Sequence, residues 1–372
     1  MKPPAITNFT ALLLAISILA PAFEAAAAMG TTRSEAAALD GKVSRTRAEV
    51  EALIEKAGQT PLEWFASVSL NYPKTLDLTW GEPRGRNAQK DLSEYIWTVI
   101  NPNENRWREG VKLLHQTLIA NKNDRAKLNL TMSALGTAYH NFFADYARAA
   151  FWWRKAGSAD EGLADCYWKL GNKDMAREVL DKIGADDTRQ GNVIKMWADI
   201  GEFDTALKLA DEKVKSFPDA GWFVAGDCLR SAGRYKEAIS DYEKVLSVTA
   251  KNTSTAAGRL KWNQDQARSA IDAIKLFDAL DLKRIPDGAY TGTSMGYSGN
   301  VTVSVTTRAS KIENVKVTQH AEHQYYASLT VIPERIIEKQ SVKHIDAYSS
   351  ATVTSNAIIN ACAKALAGGA KH

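Results

Sequence analysis

The chain has 372 residues, enough for two or three domains at about 150 residues each. Its 45% hydrophobic and 24% charged residues exclude a disordered or membrane-embedded composition. Lys plus Arg exceed Asp plus Glu by 47 to 43, and the resulting +4 is too small over this length for a nucleic-acid-binding face. Three cysteines, none in a C-x-x-C pair, exclude a zinc ribbon, a thioredoxin-type motif, C-x-x-C-H haem attachment and a disulfide-dense scaffold.

Lys2 precedes an apolar run from Ala11 to Ala20, followed by Pro21 and the small residues Ala25 to Ala28. That order is the charged region, short apolar core and A-x-A cleavage site of a secretory signal peptide. A spanning helix needs about 20 apolar residues, and this run is half that before Pro21 and Glu24 interrupt it. Cleavage is expected near Ala28, leaving a soluble protein in the periplasm or another extracytoplasmic compartment. No cysteine follows to take a lipid anchor.

Residues 33–57 read as an amphipathic helix striped by Leu39, Val43, Val50, Leu53 and Ile54. The segment from Tyr72 to Gly85, with its prolines and glycines, reads as a crossing between helices. Gln89 to Ile100 is helical in pattern, Asn101-Pro102-Asn103 is a turn, and Trp107 to Ala120 resumes as helix.

Beyond about Met132 the chain repeats. Gly171, Gly201 and Gly233 are each followed five residues later by Ala176, Ala206 and Ala238. Phe203 and Tyr235 stand two residues after the second and third glycines, and Pro218 closes the unit before the third. An earlier unit with Tyr146 and Ala149 fits the same frame without the glycine. The spacing is close to the roughly 34-residue tetratricopeptide period, in which each repeat is a helical hairpin. Phe151-Trp152-Trp153 falls at helical spacing within a unit and reads as core rather than as a ligand box. Cys166 and Cys228 hold equivalent positions two repeats apart, too far for the roughly 7 Å Cα separation that a disulfide needs.

Near Asp287 the pattern changes. Val301, Val303 and Val305 alternate with Thr and Ser, and Ile312, Val315 and Val317 follow, predicting a two-stranded hairpin. Val331 to Gln340 reads as a helix with Pro333 in its first turn, and Ser355 to Ala367 as a last helix with Cys362 on its apolar stripe. The chain contains no G-x-x-x-x-G-K-[ST] and no H-E-x-x-H. His320-Ala-Glu322-His323 could offer at most two ligands to one metal ion, and no metal site is assigned. Between Asp346 and Ser355, six of ten residues carry hydroxyls. They precede a helix start, where they suit an N-cap or the binding of a phosphate.

The residues after Asp287 also carry a family resemblance. Asp287-Gly288-Ala-Tyr290-Thr-Gly292, Gly296-Tyr297-Ser-Gly299, Lys311-Ile312-Glu-Asn-Val315-Lys-Val317 and Ile336-Ile337-Glu-Lys-Gln340-Ser341 are its first parts. Asp346-x-x-Ser349-x-Ala351-Thr352-x-Thr354-Ser355 is its last. Residues 287–367 thereby resemble the FMN-binding domain of flavin-carrying subunits in sodium-pumping NADH:quinone oxidoreductases and Rnf-type complexes. That domain's flavinylation motif is an Asp followed by [ST]-G-A-[ST]-x-[ST], whose last hydroxyl bears FMN as a phosphoester. The resemblance puts that bond on Thr354, with Thr352, Ser349, Asp346, Ala351 and Ser355 around it and Tyr297 and Glu322 lining the ring. Ser350 stands where the motif has glycine.

The expected architecture is multidomain: tetratricopeptide-like all-α repeats followed by a small α+β FMN-binding domain. Its parts are a signal peptide (1–28), an N-terminal helical region (29–130), the repeats (131–283) and the FMN-binding domain (284–372). The expected function is an exported electron-transfer flavoprotein with covalent FMN, an electron carrier rather than a stand-alone catalyst. A flavin transferase would mature it, and the repeats would dock a redox protein, with a membrane-associated redox complex as one candidate. The alternative is a tetratricopeptide adaptor that never receives flavin. A reductase with its own substrate would need a further cofactor or substrate domain.

Overall fold

The computed structural model describes residues 43–81, 87–183, 190–322, 326–348 and 351–370. The segment read as a signal peptide lies outside them, as do Leu39, His323, Ser349 and Ser350. Helix α1 (Arg47–Gln59) opens at a capping box in which Thr46 and Glu49 satisfy each other's backbone N–H groups. That box starts the helix well after residue 33. Val43, predicted on its stripe, lies ahead of it in a non-helical segment, where Arg45 N donates to Gly171 O at 2.8 Å. Helix α2 (Leu92–Tyr95) is shorter than the periodicity predicts and widens into a π turn over Ile96–Ile100 before Pro102 stops it. Helix α3 (Trp107–Ala120) has the predicted bounds.

The helical array continues through α4 (Arg125–Phe143), α5 (Tyr146–Ala156), α6 (Glu161–Lys169) and α7 (Lys173–Leu180). It ends with α8 (Gly191–Asp199), α9 (Phe203–Val214), α10 (Pro218–Ser231), α11 (Tyr235–Ser247) and the long α12 (Ala257–Phe277). The three glycines that mark the repeats sit between paired helices with φ of +91° at Gly171, +83° at Gly201 and +73° at Gly233. Each turn therefore uses the left-handed region that glycine enters at no steric cost. The earlier unit makes the same turn without glycine: Ala144, five residues before Ala149, has φ +52°. Pro218 is the first residue of α10 rather than the close of the preceding unit, a position where its missing N–H costs nothing.

Repeat neighbours interlock large against small. A Cβ on Gly226 would lie 2.7 Å from the ring of Tyr242, so α10 and α11 approach only because that position has no side chain. Ala206 and Ala238 are fully buried, as are Cys166, Cys228 and Cys362, whose thiols are free. Burial pushes the thiols up and keeps them protonated. Phe151 and Trp153 are core. Ala238→Leu should cost about 1–3 kcal/mol by overpacking and lower the melting temperature, whereas a change at exposed Lys236 should leave it unmoved. Equal melting temperatures for the two variants would contradict this register.

The C-terminal sheet has three strands in the order β1-β2-β3, one more than the predicted hairpin: β1 (Gly288–Met295), β2 (Asn300–Arg308) and β3 (Lys311–Gln319). All pairs are antiparallel. The extra strand was illegible because only its last part buries side chains in alternation. Ala309 and Ser310, both at positive φ, make the tight β2–β3 turn. Helix α13 (Ser328–Lys339) begins earlier than expected, so Pro333 lies inside it rather than in its first turn. Helix α14 (Thr352–Gly369) covers the sheet. Gly292 of β1 permits the approach, since a Cβ there would lie 2.0 Å from Ala361 O.

One hydrophobic core crosses from the last repeat into this unit. It joins Leu229, Tyr242, Ile274 and Phe277 to Val303, Ile332, Ile358 and Leu366. Polar ties reinforce it: Ser269 pairs with Ser294 at 2.7 Å, and Gln266 Nε2 donates to Gly296 O at 2.6 Å. The long α12 thus closes the helical array and supports the sheet.

Candidate functional site

The start of α14 is tied to Tyr348 by two hydrogen bonds. Ala351 N donates to Tyr348 O at 2.9 Å, and Ser355 Oγ accepts from Tyr348 N at 3.0 Å. Tyr348 reaches the repeats, its hydroxyl donating to His140 O at 3.1 Å. Further along, Asn356 donates to Asp227 at 3.1 Å, and Arg230 donates to Asn360 at 2.8 Å. These contacts seat α14 on α10.

Helix α14 starts at Thr352, three residues before the expected Ser355, so Thr354 lies in its first turn rather than in the loop ahead of it. The N-cap residue is Ala351, which has no side-chain oxygen to cap the first N–H groups. A helix start of this kind favours an anion through its donors and dipole. Thr354 is 4% exposed, and its hydroxyl donates to Glu322 Oε2 at 2.5 Å. Glu322 follows β3, is itself buried, and accepts Ser298 N at 3.1 Å through Oε1. Gly296 makes room for that carboxylate, because a Cβ there would stand 2.3 Å from Oε1.

Thr354 opens onto a cavity of about 760 Å³ between the two parts of the molecule. Ala351, Thr352, Val353, Thr354, Glu322 and Tyr297 line one side. The other side is built by the repeats, including Lys195 and Asp199 of α8, Phe217 and Phe223 at α10, and Arg259 and Trp262 of α12. Of the residues expected around the flavin, the structure brings Tyr297, Glu322, Ala351, Thr352 and Thr354 together. It does not bring Ser355, whose buried hydroxyl holds the Tyr348 backbone instead, or Asp346, which lies off the cavity wall with its carbonyl on Arg335 at 2.8 Å. The repeat-side residues were not predicted for the site. They have no motif, and only the docking of the two parts places them there.

Charge in the cavity is mixed. Burial pushes the carboxyls of Glu161 and Asp227 up, and that of Asp199 up to about 6. Lys195 is buried beside Asp199 and hydrogen-bonded to it. Burial opposes the Lys195 ammonium, but Asp199 and Asp346 together outweigh that and hold it charged. Its partners therefore come from both the repeats and the C-terminal unit.

Pockets that take drug-sized ligands span roughly 300–1,000 Å³, and this cavity falls inside that range. Its wall combines a hydroxyl, an uncapped helix start, cationic side chains and several aromatic rings, the groups that a phosphate and a flat ring call for. The residues fit FMN.

Comparison with known proteins agrees with this reading of the two parts. Residues 296–367 match the family model of the FMN-binding domain, and residues 162–183 and 220–252 match that of the tetratricopeptide repeat. An uncharacterized protein of Treponema pallidum (strain Nichols) is 38% identical over 82 residues, 22% of this chain and 22% of that protein. The NADH:acrylate oxidoreductase of Vibrio harveyi is 33% identical over 109 residues, 27% of this chain and 11% of that protein. The chain thus covers only a small share of either relative's length. No solved structure matches. The C-terminal unit is an FMN-binding domain, and tetratricopeptide repeats precede it.

Proposed function

We propose that this chain is an exported electron-transfer flavoprotein that carries FMN as a phosphoester on Thr354. The observation that supports the reading is the Thr354 hydroxyl, held on the Glu322 carboxylate at 2.5 Å and opening into a cavity large enough for a flavin. Glu322 Oε2 is placed to take the proton that this hydroxyl loses when it forms a bond to phosphorus. A separate flavin transferase would present FMN as a phosphoanhydride, so that the Thr354 oxygen bonds to the flavin-side phosphorus as the P–O bond to the second phosphate breaks and that phosphate group leaves. The first turn of α14 would lie beside the anion so formed, and Lys195 holds a charged group on the cavity wall. When bound, FMN would accept and pass on one or two electrons. The chain's own part is to retain it, orient it and set its surroundings. Tetratricopeptide repeats commonly bind proteins, and here they would dock the redox partner, with an extracytoplasmic location matching the signal peptide read from the sequence.

The intact mass of protein purified from its exporting host tests the reading. The expected mass is that of a chain cleaved near Ala28 plus one FMN minus one water, with a flavin absorption spectrum. A colourless protein of unmodified mass would support the adaptor reading instead. A full-length mass beginning at Met1 would refute export by cleavage.

A further inference from the structure

We propose that the repeats form the second wall of the flavin site, with Trp262, Phe223 and Phe217 as the face on which the isoalloxazine ring stacks. The proposal rests on Thr354 as the attachment point and adds the location of the ring. Thr354 is 4% exposed and lines the cavity, so a group attached to its hydroxyl oxygen must run into that space. The aromatic residues available there lie at the repeats, apart from Tyr297 at the β1–β2 turn.

The apolar exposure points to a flat ligand. Phe217 is 40% and Tyr297 43% exposed, and both are among the few large hydrophobic side chains left open among the described residues. Both face this cavity. An aromatic ligand would remove that surface from water and gain ring–ring contacts. Trp262 is held ready for it. Its Nε1 donates to Tyr297 O at 3.2 Å, and its ring packs edge-on to Tyr297 with centroids 5.7 Å apart. The guanidinium of Arg259 lies 4.0 Å from the Trp262 ring centroid, and Phe223 is 6.3 Å away in an edge contact. A tryptophan fixed from two directions presents a defined surface at little entropic cost on binding.

A tryptophan in contact with a flavin quenches its fluorescence, which makes the placement measurable without any turnover. The full chain is labelled in cells that contain the transferase, and its flavin emission is read native and after denaturation. Native emission should be several-fold weaker than that of the same sample unfolded. Trp262→Leu should raise native emission several-fold while the mass of one FMN is retained, and exposed Phe217→Leu should raise it less. Native wild-type emission equal to that of the unfolded sample would overturn the placement, whether or not Trp262→Leu folds. So would an unchanged yield in a folded Trp262→Leu, which would leave the Thr354 attachment standing. Wild type with no FMN mass would refute the attachment itself, and the ring placement with it.

Discussion

Thr354→Ala should abolish covalent flavin while leaving the protein folded. In cells that contain the transferase, wild type gives a fluorescent band on a denaturing gel, and Thr354→Ala should give none. The reason is chemical: the phosphoester needs the hydroxyl oxygen, and among the described residues no neighbouring hydroxyl shares its surroundings. Thr352 lines the cavity but does not hold the Glu322 carboxylate, and Ser355 is occupied by the Tyr348 backbone. Thr352→Ala should therefore keep the label. Ser355→Ala should also keep it, but should lose about 1–3 kcal/mol because Tyr348 N is left buried without its acceptor. Glu322→Gln separates the hydroxyl from its proton acceptor while retaining shape, and should slow labelling without preventing folding. A fluorescent, mass-shifted Thr354→Ala protein would show that the acceptor is another residue.

Lys195→Met should be the most destabilising of the single changes considered, at about 3–5 kcal/mol near pH 8, because it strands a buried carboxylate. Lys195 and Asp199 have side chains only 6% and 7% exposed, and Asp346 adds a second negative charge nearby. The loss should depend on pH, with a definite sign. Burial already raises the Asp199 carboxyl to about 6, above its unfolded value of 3.8. Removing the ammonium that opposes this raises it further. A carboxyl raised in the folded state contributes stability below its unfolded pKa and loses it as pH climbs through the folded one. The deficit of the variant relative to wild type should therefore be small near pH 4 and grow towards pH 8. Denaturant titrations at the two pH values measure it, and an equal deficit at both would contradict the stranded-carboxylate account.

The features visible in the sequence alone are local ones. The repeats were legible because a glycine at positive φ and an alanine five residues later recur within each hairpin, and both demands arise inside a single unit. The same rule picked out the earlier unit, although Ala144 takes the place of glycine there. Around Thr354 the residues alone showed a hydroxyl-rich helix entrance, and only the family resemblance singled out Thr354 within it. The first sheet strand was not, because Gly288 to Met295 alternates only weakly and its pairing with β2 is what makes it a strand.

The site depended on contacts that no local pattern encodes. Glu322 meets Thr354 across 32 residues, and Arg230 meets Asn360 across 130. A shared core between α12, the sheet and α14 brings the repeat aromatics opposite the motif. Local residue patterns suffice to show helical hairpins ahead of a small sheet-and-helix unit with a hydroxyl-rich helix entrance. Only the packed fold buries Thr354 at that entrance, sets its hydroxyl on Glu322 and closes the cavity with the repeats. The physical reason is that helix and turn preferences act over a few residues, whereas a cavity is the space left when distant apolar faces are buried against each other.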